Sequence, residues 1–245
     1  MNEAIELLLA SRGRPARLVE MMRSAVALAA RPDLLRFRVR LDLDDPALHE
    51  YRAIALAQNP LVKFHIGAQR PVPRLQAELA RLCETELMMF ACSDDLLWRT
   101  EHWDCKVREA FARYRDGLLV AATNDLDGRT KCQHFFTTTH LLDVVGEDGW
   151  TELEHFGTDH WFEQVARQAG RMLYLEHVVA EHMHMKHRDA QGNAKAAPDD
   201  TYRAKRERSE RGSMSDRDRA RLAAGAPIMA EQAERVRACL RPLAA

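Results

Sequence analysis

Residues 86–98 read ELMMFACSDDLLW, and this stretch decides the fold predicted for the chain. The five apolar residues 87–91 are typical of a short buried strand. Asp94 and Asp95 follow at its end, where two adjacent carboxylates repel each other unless a positive group lies beside them. A divalent cation would supply that charge. Alternatively, Ser93 and Asp94 would cap a following helix, and the stretch alone favours neither interpretation.

A strand, a basic turn and a helix open the chain. The apolar run 5–10 stops at SRGRP, residues 11–15, where Pro15 suits the first turn of a helix with one apolar face. In α/β nucleotide-binding units the same arrangement favours anions, because backbone N–H groups and the helix start point at the ligand. Arg12 and Arg14 would add positive charge. The alternative is a solvated basic loop.

The segment from Arg36 to Asp45 alternates strictly between apolar and polar residues. This period predicts a strand with only one face fully buried. Asp42 and Asp44 fall at its acidic end, where a carboxylate can accept hydrogen bonds from a ribose or a base. Because Asp-Asp-Pro is also a common turn composition, a simple turn explains the same residues.

The first 95 residues therefore alternate between strands and helices, with one segment of uncertain form before the strand at 62–66. Such alternation predicts an α/β fold with a largely parallel central sheet flanked by helices. Its ligand crevice would lie outside the carboxyl ends of the strands. The basic turn and the acidic residues described above all fall at those ends. Their co-location is stronger evidence for a site than any one of them.

Two later stretches carry further candidate site residues. Residues 157–159, Gly-Thr-Asp, precede a predicted helix, with Thr158 as its cap and Asp159 in its first turn. An acid there either compensates the helix dipole or faces the crevice. A strand-like segment then carries His182 and His184, which lie on the same face of a strand. Imidazole is a common transition-metal ligand, although a histidine is often only a satisfied polar residue.

The composition limits the class of protein. A chain of 245 residues with 46% hydrophobic residues, 30% charged residues and a net charge of -1 is typical of a globular domain with a tail. No apolar run approaches the roughly 18 residues of a membrane helix, and the acidic start does not suit a signal peptide. A cytoplasmic location is therefore expected. The five cysteines lack metal-type spacing, which predicts reduced thiols.

The composition shifts after Tyr202. Residues 202–221 contain eight Lys and Arg against four Asp and Glu, a mixed-sign run typical of a solvated helix face or a mobile segment. Gly225 interrupts this run, and the apolar positions that follow predict a closing helix that packs back. We therefore predict a domain over residues 1–202 and an Arg-rich helical extension over residues 203–245.

The order of these motifs resembles that of nucleotide-sugar glycosyltransferases of the GT-A fold, especially small bacterial and phage members of the family-two-like group. The resemblance covers residues 3 to 202 and includes SRGRP, SDD, GTD, EHMH and a Gly-containing loop with Lys195. The family's acidic motif is usually DxD, whereas its first position here is Ser93. The resemblance implies a GT-A fold and metal-dependent transfer of a sugar from a UDP- or GDP-sugar to an acceptor hydroxyl.

The resemblance also implies roles for individual residues. Asp95 would bind Mn²⁺ or Mg²⁺ directly, and His182, or His184 as its substitute, would complete the metal site. Asp94 would contact the ribose or lie behind the metal ligands. Asp159 would be the general base of an inverting enzyme. The remaining nucleotide-sugar-binding residues would be Ser11, Arg12, Gly13, Arg14, Asp42, Asp44 and Lys195.

Other functions remain compatible with these residues. A metal-dependent nucleotidyltransferase also uses paired acids, but it would need a phosphate loop richer in glycine than the single Gly13. A non-catalytic sugar-nucleotide-binding module would retain Asp95 for capping alone. The acceptor expected from the resemblance is a glycan or a lipid-linked glycan. The Arg-rich segment also allows DNA carrying a hydroxymethylated base, although the interleaved acids weaken its field.

Overall fold

The structure is a computed structural model that describes residues 3–57, 61–126, 132–154, 157–183 and 216–240. Its strands are β1 (Ile5–Ser11), β2 (Leu35–Asp42), β3 (Val62–Gly67), β4 (Leu87–Met89), β5 (Leu96–Trp98), β6 (Val120–Asn124), β7 (Phe135–Thr138) and β8 (Met172–His182). Its α-helices are α1 (Pro15–Leu28), α2 (Leu48–Ala57), α3 (Val72–Arg81), α4 (Trp103–Ala112), α5 (Thr139–Val145), α6 (Thr158–Ala169), α7 (Asp216–Ala224) and α8 (Ala226–Ala238).

The eight strands form one sheet in the order β3-β2-β1-β4-β7-β6-β8-β5. Four of the seven pairings are parallel, and they join β1 to β2 and β4, β2 to β3, and β6 to β8. The strand β7 runs antiparallel to both β4 and β6, and β5 runs antiparallel to β8. The predicted α/β class is confirmed, and the sheet is wholly parallel over its first four strands.

The strand β2 is buried on both faces, so the prediction of a single buried face is wrong. Arg38 and Arg40 have exposures of only 2% and 6%, although they lie on the face that was expected to be exposed to solvent. The helix α3 covers this face, and Arg38 Nε donates to Glu6 Oε1 at 2.5 Å. Arg40 donates to the carbonyl oxygens of Gly67 and Ala68. Each buried guanidinium therefore has acceptors within reach, as burial of a charge requires.

The structure excludes one of the two interpretations of the acidic pair, and the prediction of Thr158 as a helix cap is wrong. The acidic pair is followed by β5 rather than by a helix, so Ser93 and Asp94 cap nothing. At the start of α6, Gly157 occupies the cap position with φ of 111°, and Thr158 is the first helical residue. The left-handed conformation at this position explains why a glycine stands there.

Hydrophobic residues fill both sides of the sheet. On the side of α1 and α4, the indole of Trp98 stacks on Trp103 with ring centroids 3.9 Å apart. On the other side, α3, α5 and α6 share a core with α8, whose packing back onto the domain is confirmed. Here Trp161 Nε1 donates to Gln232 Oε1 at 2.7 Å. Among the described residues no helix is long and apolar enough to cross a membrane.

Candidate functional site

The predicted site residues lie where several strands end at one edge of the sheet. Ser11, Asp42 and His182 are the last residues of β1, β2 and β8. The loop after β4 reaches the same edge, because β4 runs parallel to β1. The antiparallel strand β7 begins there, which brings His134 to this edge as well. The ligand crevice of an α/β sheet is expected at this place.

Asp94 joins the turn after β1 to the loop after β4. Its carboxylate has no exposed surface, and it accepts a hydrogen bond from Ser11 Oγ at 2.5 Å. It also forms an ion pair with Arg14, whose Nη2 lies 2.7 Å from Asp94 Oδ1. Burial raises the pKa of Asp94 to about 6, a shift that Arg14 opposes and Asp95 reinforces. The hydroxyl of Tyr51 lies 2.7 Å from Ser11 Oγ and accepts from the backbone N–H of Arg14 at 2.8 Å.

Asp95 pairs with His182 at the end of β8. The distance from Asp95 Oδ1 to His182 Nε2 is 3.3 Å, and Ser93 Oγ donates to the same carboxylate oxygen at 2.5 Å. Burial alone would raise the pKa of Asp95, but His182, Arg14 and Ser93 together hold this pKa below its usual range. The backbone N–H of Met183 donates to Asp95 O at 2.8 Å, so the two segments are also joined through the main chain.

The Asp95–His182 pair fits a divalent cation. Carboxylate oxygen with imidazole nitrogen suits Mn²⁺. Two donors bound about 2.1 Å from one ion at right angles lie about 3 Å apart, close to the 3.3 Å that separates these atoms. Within the described residues, no group of three or more His, Cys, Asp and Glu could hold a metal ion. His184 and Lys195 lie outside the described residues.

Ion pairs and a backbone hydrogen bond join the basic turn after β1 to the end of β2. Arg12 Nη1 lies 3.0 Å from Asp42 Oδ2 and 2.6 Å from Asp44 Oδ1. The backbone N–H of Gly13, whose φ is 66°, donates to Asp45 Oδ2 at 2.8 Å. Asp45 was not singled out from the sequence, although it belongs to the same Asp-Asp-Pro turn. Hydrogen bonds therefore join Arg12 and Gly13 of the turn to the acidic residues at the end of β2.

Asp159 lies half-buried in the first turn of α6. Burial raises the pKa of its carboxyl above the ordinary value. One helical turn later, Phe162 packs on Phe90 and Phe135 with ring centroids 5.2 and 5.6 Å apart. Asp159 also raises the pKa of the Cys132 thiol electrostatically, although burial is the larger cause of that shift. These contacts bring the start of α6 towards the edge where β4 ends and β7 begins.

His134 is a residue of this edge that sequence reasoning missed. It is 7% exposed, and its ring lies 4.7 Å from the ring of His182, centroid to centroid. Its Nδ1 lies 3.0 Å from the carbonyl oxygen of Ala91. The HFFTTT stretch shows strand composition, but its antiparallel pairing with β4 depends on contacts between distant segments. No local pattern points to this histidine.

The structure describes only part of the Arg-rich extension. Residues 203–211 lie outside the described residues. In α7, Arg217 and Arg221 lie 3.3 and 3.6 Å from Glu154, and Arg219 lies 2.9 Å from Asp216. These arginines therefore have carboxylates beside them, although their side chains remain exposed.

Neither a scan of protein-family models nor a search of curated proteins finds a match. Among solved structures, the chain is similar to the mannosyltransferase PcManGT from Pyrobaculum calidifontis, solved with GDP-Man and Mn²⁺. The TM-score is 0.56 at 13% identity, over 96% of this chain and 74% of that one. For GalNAc-T7, solved with UDP, GalNAc and Mn²⁺, the TM-score is 0.60 at 11% identity, over 74% and 43%.

The S. aureus protein TarS gives a TM-score of 0.52 at 13% identity, over 72% of this chain and 36% of that one. This chain thus spans less than half the length of TarS and of GalNAc-T7. At such low identities the likeness establishes the architecture alone. The GT-A fold predicted from the order of the motifs is confirmed: the chain has the fold of nucleotide-sugar glycosyltransferases.

Proposed function

We propose that this protein is a metal-dependent glycosyltransferase that moves a sugar from a UDP- or GDP-sugar to an acceptor hydroxyl. The observation that carries the proposal is the 3.3 Å pairing of Asp95 with His182 at the carboxyl edge of a GT-A sheet. PcManGT was solved with GDP-Man and Mn²⁺, and GalNAc-T7 with UDP and Mn²⁺, which supports the same ligands here.

The proposed metal ligands are Asp95 and His182, with His184 as a further candidate. The imidazole favours Mn²⁺ over Mg²⁺, which prefers oxygen ligands. When bound, the ion acts as a Lewis acid that stabilises the negative charge of the departing nucleoside diphosphate. Asp94 is already hydrogen-bonded to Ser11 and ion-paired with Arg14, so we assign it to the ribose or to the support of the metal ligands.

We propose that the turn after β1 lines one side of the nucleotide-binding pocket. Arg12 is held by Asp42 and Asp44, so its guanidinium plane is fixed beside the position proposed for the base and ribose. Arg14 retains 22% exposure of its side chain while it lies against both carboxylates of the SDD motif. It places a fixed positive charge beside the site proposed for the diphosphate. Lys195 is proposed to add a second charge there.

Asp159 is the proposed general base. It would accept the proton of the acceptor hydroxyl, a contribution of about 10² to 10⁴ in rate. Its raised pKa makes the ionised carboxylate a stronger base than an ordinary aspartate. Attack on the sugar from the face opposite the leaving group would invert the anomeric centre. This role needs the start of α6 to face the acceptor.

The proposed acceptor is a glycan or a lipid-linked glycan. In the described part of the extension, Arg217, Arg219 and Arg221 lie beside carboxylates, which weaken the positive field that DNA would need. We assign the catalytic residues to residues 1–202 and treat residues 203–245 as an extension whose helices complete the core on the α6 side of the sheet.

The test is the release of nucleoside diphosphate by the full chain with Mn²⁺ and a panel of UDP- and GDP-sugars. We expect slow hydrolysis of one donor in the absence of an acceptor. Asp95→Asn should lower this release at least a hundredfold, whereas Asp33→Asn, an exposed residue paired with Arg31, should not. Exchange of pyrophosphate would indicate a nucleotidyltransferase instead. Binding of a sugar nucleotide without any release would indicate a non-catalytic module, and either result overturns the proposal.

A further inference from the structure

We propose that His134 is a positioning residue that holds the imidazole of His182 in the orientation needed to bind the metal. This inference rests on the proposed function, since it assigns His182 the role of metal ligand. It concerns a residue for which neither the motif pattern nor the fold provides a role.

The main chain around His182 is fixed on both sides. Its backbone N–H donates to Asp125 O at 3.2 Å, and the next residue, Met183, donates to Asp95 O at 2.8 Å. His182 also pairs with Leu96 in the β5–β8 ladder. These bonds fix the direction in which the side chain leaves the strand. Backbone hydrogen bonds do not restrain the side-chain torsions, so the orientation of the ring depends on the groups that contact it.

The ring of His134 is itself anchored. A carbonyl oxygen can only accept, so the 3.0 Å contact with Ala91 O requires that His134 Nδ1 carries the proton. The carbonyl oxygen of His134 accepts from the backbone N–H of Thr123 at 2.9 Å. With 7% exposure, this side chain is a fixed group between β4 and β7. Its Nδ1 is committed to Ala91.

The two imidazoles meet at right angles. Their centroids are 4.7 Å apart and their planes differ by 89°. Two rings at this distance and angle are in edge-to-face contact. His182 Nε2 also lies 3.3 Å from Asp95 Oδ1. The His182 ring is therefore contacted both by the His134 ring and by the carboxylate of Asp95.

Loss of a group that orients a metal-bound histidine typically lowers metal affinity by about 10- to 100-fold. Two substitutions of His134 test separately its N–H donor to Ala91 and its aromatic ring. Asn at position 134 retains an N–H donor for Ala91 but removes the ring. Phe retains a ring of similar shape but removes the donor. The matched control is His65→Asn, because His65 is also partly buried in the sheet and hydrogen-bonded, to Arg38 at 3.1 Å.

The first measurement is made without metal, on ¹⁵N-labelled full chain, by NMR of the histidine side chains. We expect the His134 ring to be protonated at Nδ1. We also expect His134→Asn to shift and broaden the ring signals of His182, while His65→Asn leaves them unchanged. Unchanged His182 signals in His134→Asn would overturn the inference, whatever the protein does with metal.

The second measurement is Mn²⁺ binding in the presence of UDP or GDP, followed by electron paramagnetic resonance. In His134→Asn we expect a roughly tenfold or greater loss of affinity. We expect a smaller loss in His134→Phe and none in His65→Asn. Wild-type affinity in His134→Asn would overturn the inference. A nitrogen coupling from two bound imidazoles, reduced to one in that variant, would also overturn it, because His134 would then be a ligand.

The two proposals fail in different ways. If the His182 signals respond to His134 in the metal-free protein but the wild-type chain binds no Mn²⁺ with either nucleotide, the proposed function fails and the positioning of His182 stands. If Mn²⁺ binds and the His134 variants change neither measurement, the proposed function stands and this inference fails.

Discussion

Arg14 Nη2 lies 2.7 Å from Oδ1 of Asp94, a carboxylate whose side chain has no exposed surface. Nη1 of the same guanidinium lies 3.6 Å from Asp95 Oδ2. The positive group that the adjacent acids require is therefore supplied in part by the chain itself. A metal ion bound by Asp95 would therefore lie close to Arg14. The ion and the guanidinium would then both stabilise the negative charge of a nucleotide diphosphate.

Replacement of Arg14 by Met should destabilise the fold. It leaves the buried carboxylate of Asp94 without its cation, and breaking such a pair costs about 3 kcal/mol or more. We expect this loss in the free energy of unfolding, measured by urea denaturation at neutral pH. The control is Arg31→Met, because Arg31 and its partner Asp33 are both exposed. Equal losses in the two variants would contradict the prediction.

Local sequence patterns predicted most of the elements that build the site. The strands β1, β2 and β4 and the helices α1 and α6 follow from hydrophobic periodicity and from the turn residues beside them. The edge on which the acids lie follows from the rule for parallel α/β sheets. These are local features or general rules of topology, which is why a single sequence was enough to predict them.

The rest of the site depends on pairings between distant segments. Tyr51 reaches Ser11 and Arg14 from α2, in a segment to which the sequence assigned no form. His134 comes to the site only because β7 runs antiparallel to β4. The strand β5 is three residues long, and its apolar residues could equally belong to a helix.

Mn²⁺ with the matching nucleotide should raise the melting temperature of the full chain. A ligand present at about 100 times its Kd stabilises the native state by about 2.7 kcal/mol. For a chain of this size that corresponds to a shift of about 5–10 °C. We expect the shift with either the UDP or the GDP series in differential scanning calorimetry. Its metal-dependent part should vanish with EDTA and in Asp95→Asn. Equal shifts with and without Mn²⁺ would contradict the proposed metal site.

Asp104 should contribute stability that depends on pH. Its buried carboxylate accepts from the backbone N–H groups of Ala30 and Arg31 and from Arg108 Nη1, at 2.7, 3.0 and 2.6 Å. Burial opposes ionisation, but Arg108 and these N–H donors outweigh it and lower the pKa of Asp104. The stabilisation is therefore complete above the unfolded-state pKa of about 4 and is lost as the pH falls through the lower folded-state pKa.

Asp104→Asn should accordingly lower the free energy of unfolding by about 3 kcal/mol at pH 7, and the difference from the wild type should shrink towards pH 3. Urea denaturation over a pH series measures both effects. The exposed Asp33 provides the control, since Asp33→Asn should leave the free energy of unfolding nearly unchanged at every pH. A difference for Asp104→Asn that stays constant with pH would refute the assignment.

A chain that ends at Tyr202 should be much less stable than the full chain. Met229, Ala233 and Val236 of α8 lie in the same hydrophobic cluster as Trp161. Their removal would also take away Gln232, the acceptor for the Trp161 indole N–H. We expect a large fall in melting temperature or loss of soluble protein. A chain that ends at Leu240 retains both C-terminal helices and should behave as the full chain does. Equal melting temperatures would instead show that residues 1–202 fold independently.

Asp159 should set the acidic limb of the pH–rate profile. Burial places its pKa above the ordinary value of about 4, and a general base must be ionised, so kcat should fall as the pH drops through that raised pKa. Asp159→Asn should lower donor hydrolysis by about 10²- to 10⁴-fold and remove this limb, while Mn²⁺–nucleotide affinity stays unchanged. The control is Glu163→Gln, one turn further along α6, where the carboxylate pairs with Arg167.

The same raised pKa predicts an opposite effect of Asp159→Asn on stability. For an acid whose folded-state pKa lies above its unfolded-state value, ionisation at neutral pH costs folding free energy. Asp159→Asn should therefore melt at a higher temperature than the wild type near pH 7 and at a similar temperature near pH 3. An active site often carries such a cost, because the burial that strengthens the base also destabilises its charged form. If the variant loses activity and also melts at a lower temperature than the wild type at pH 7, Asp159 stabilises the fold and is not the general base.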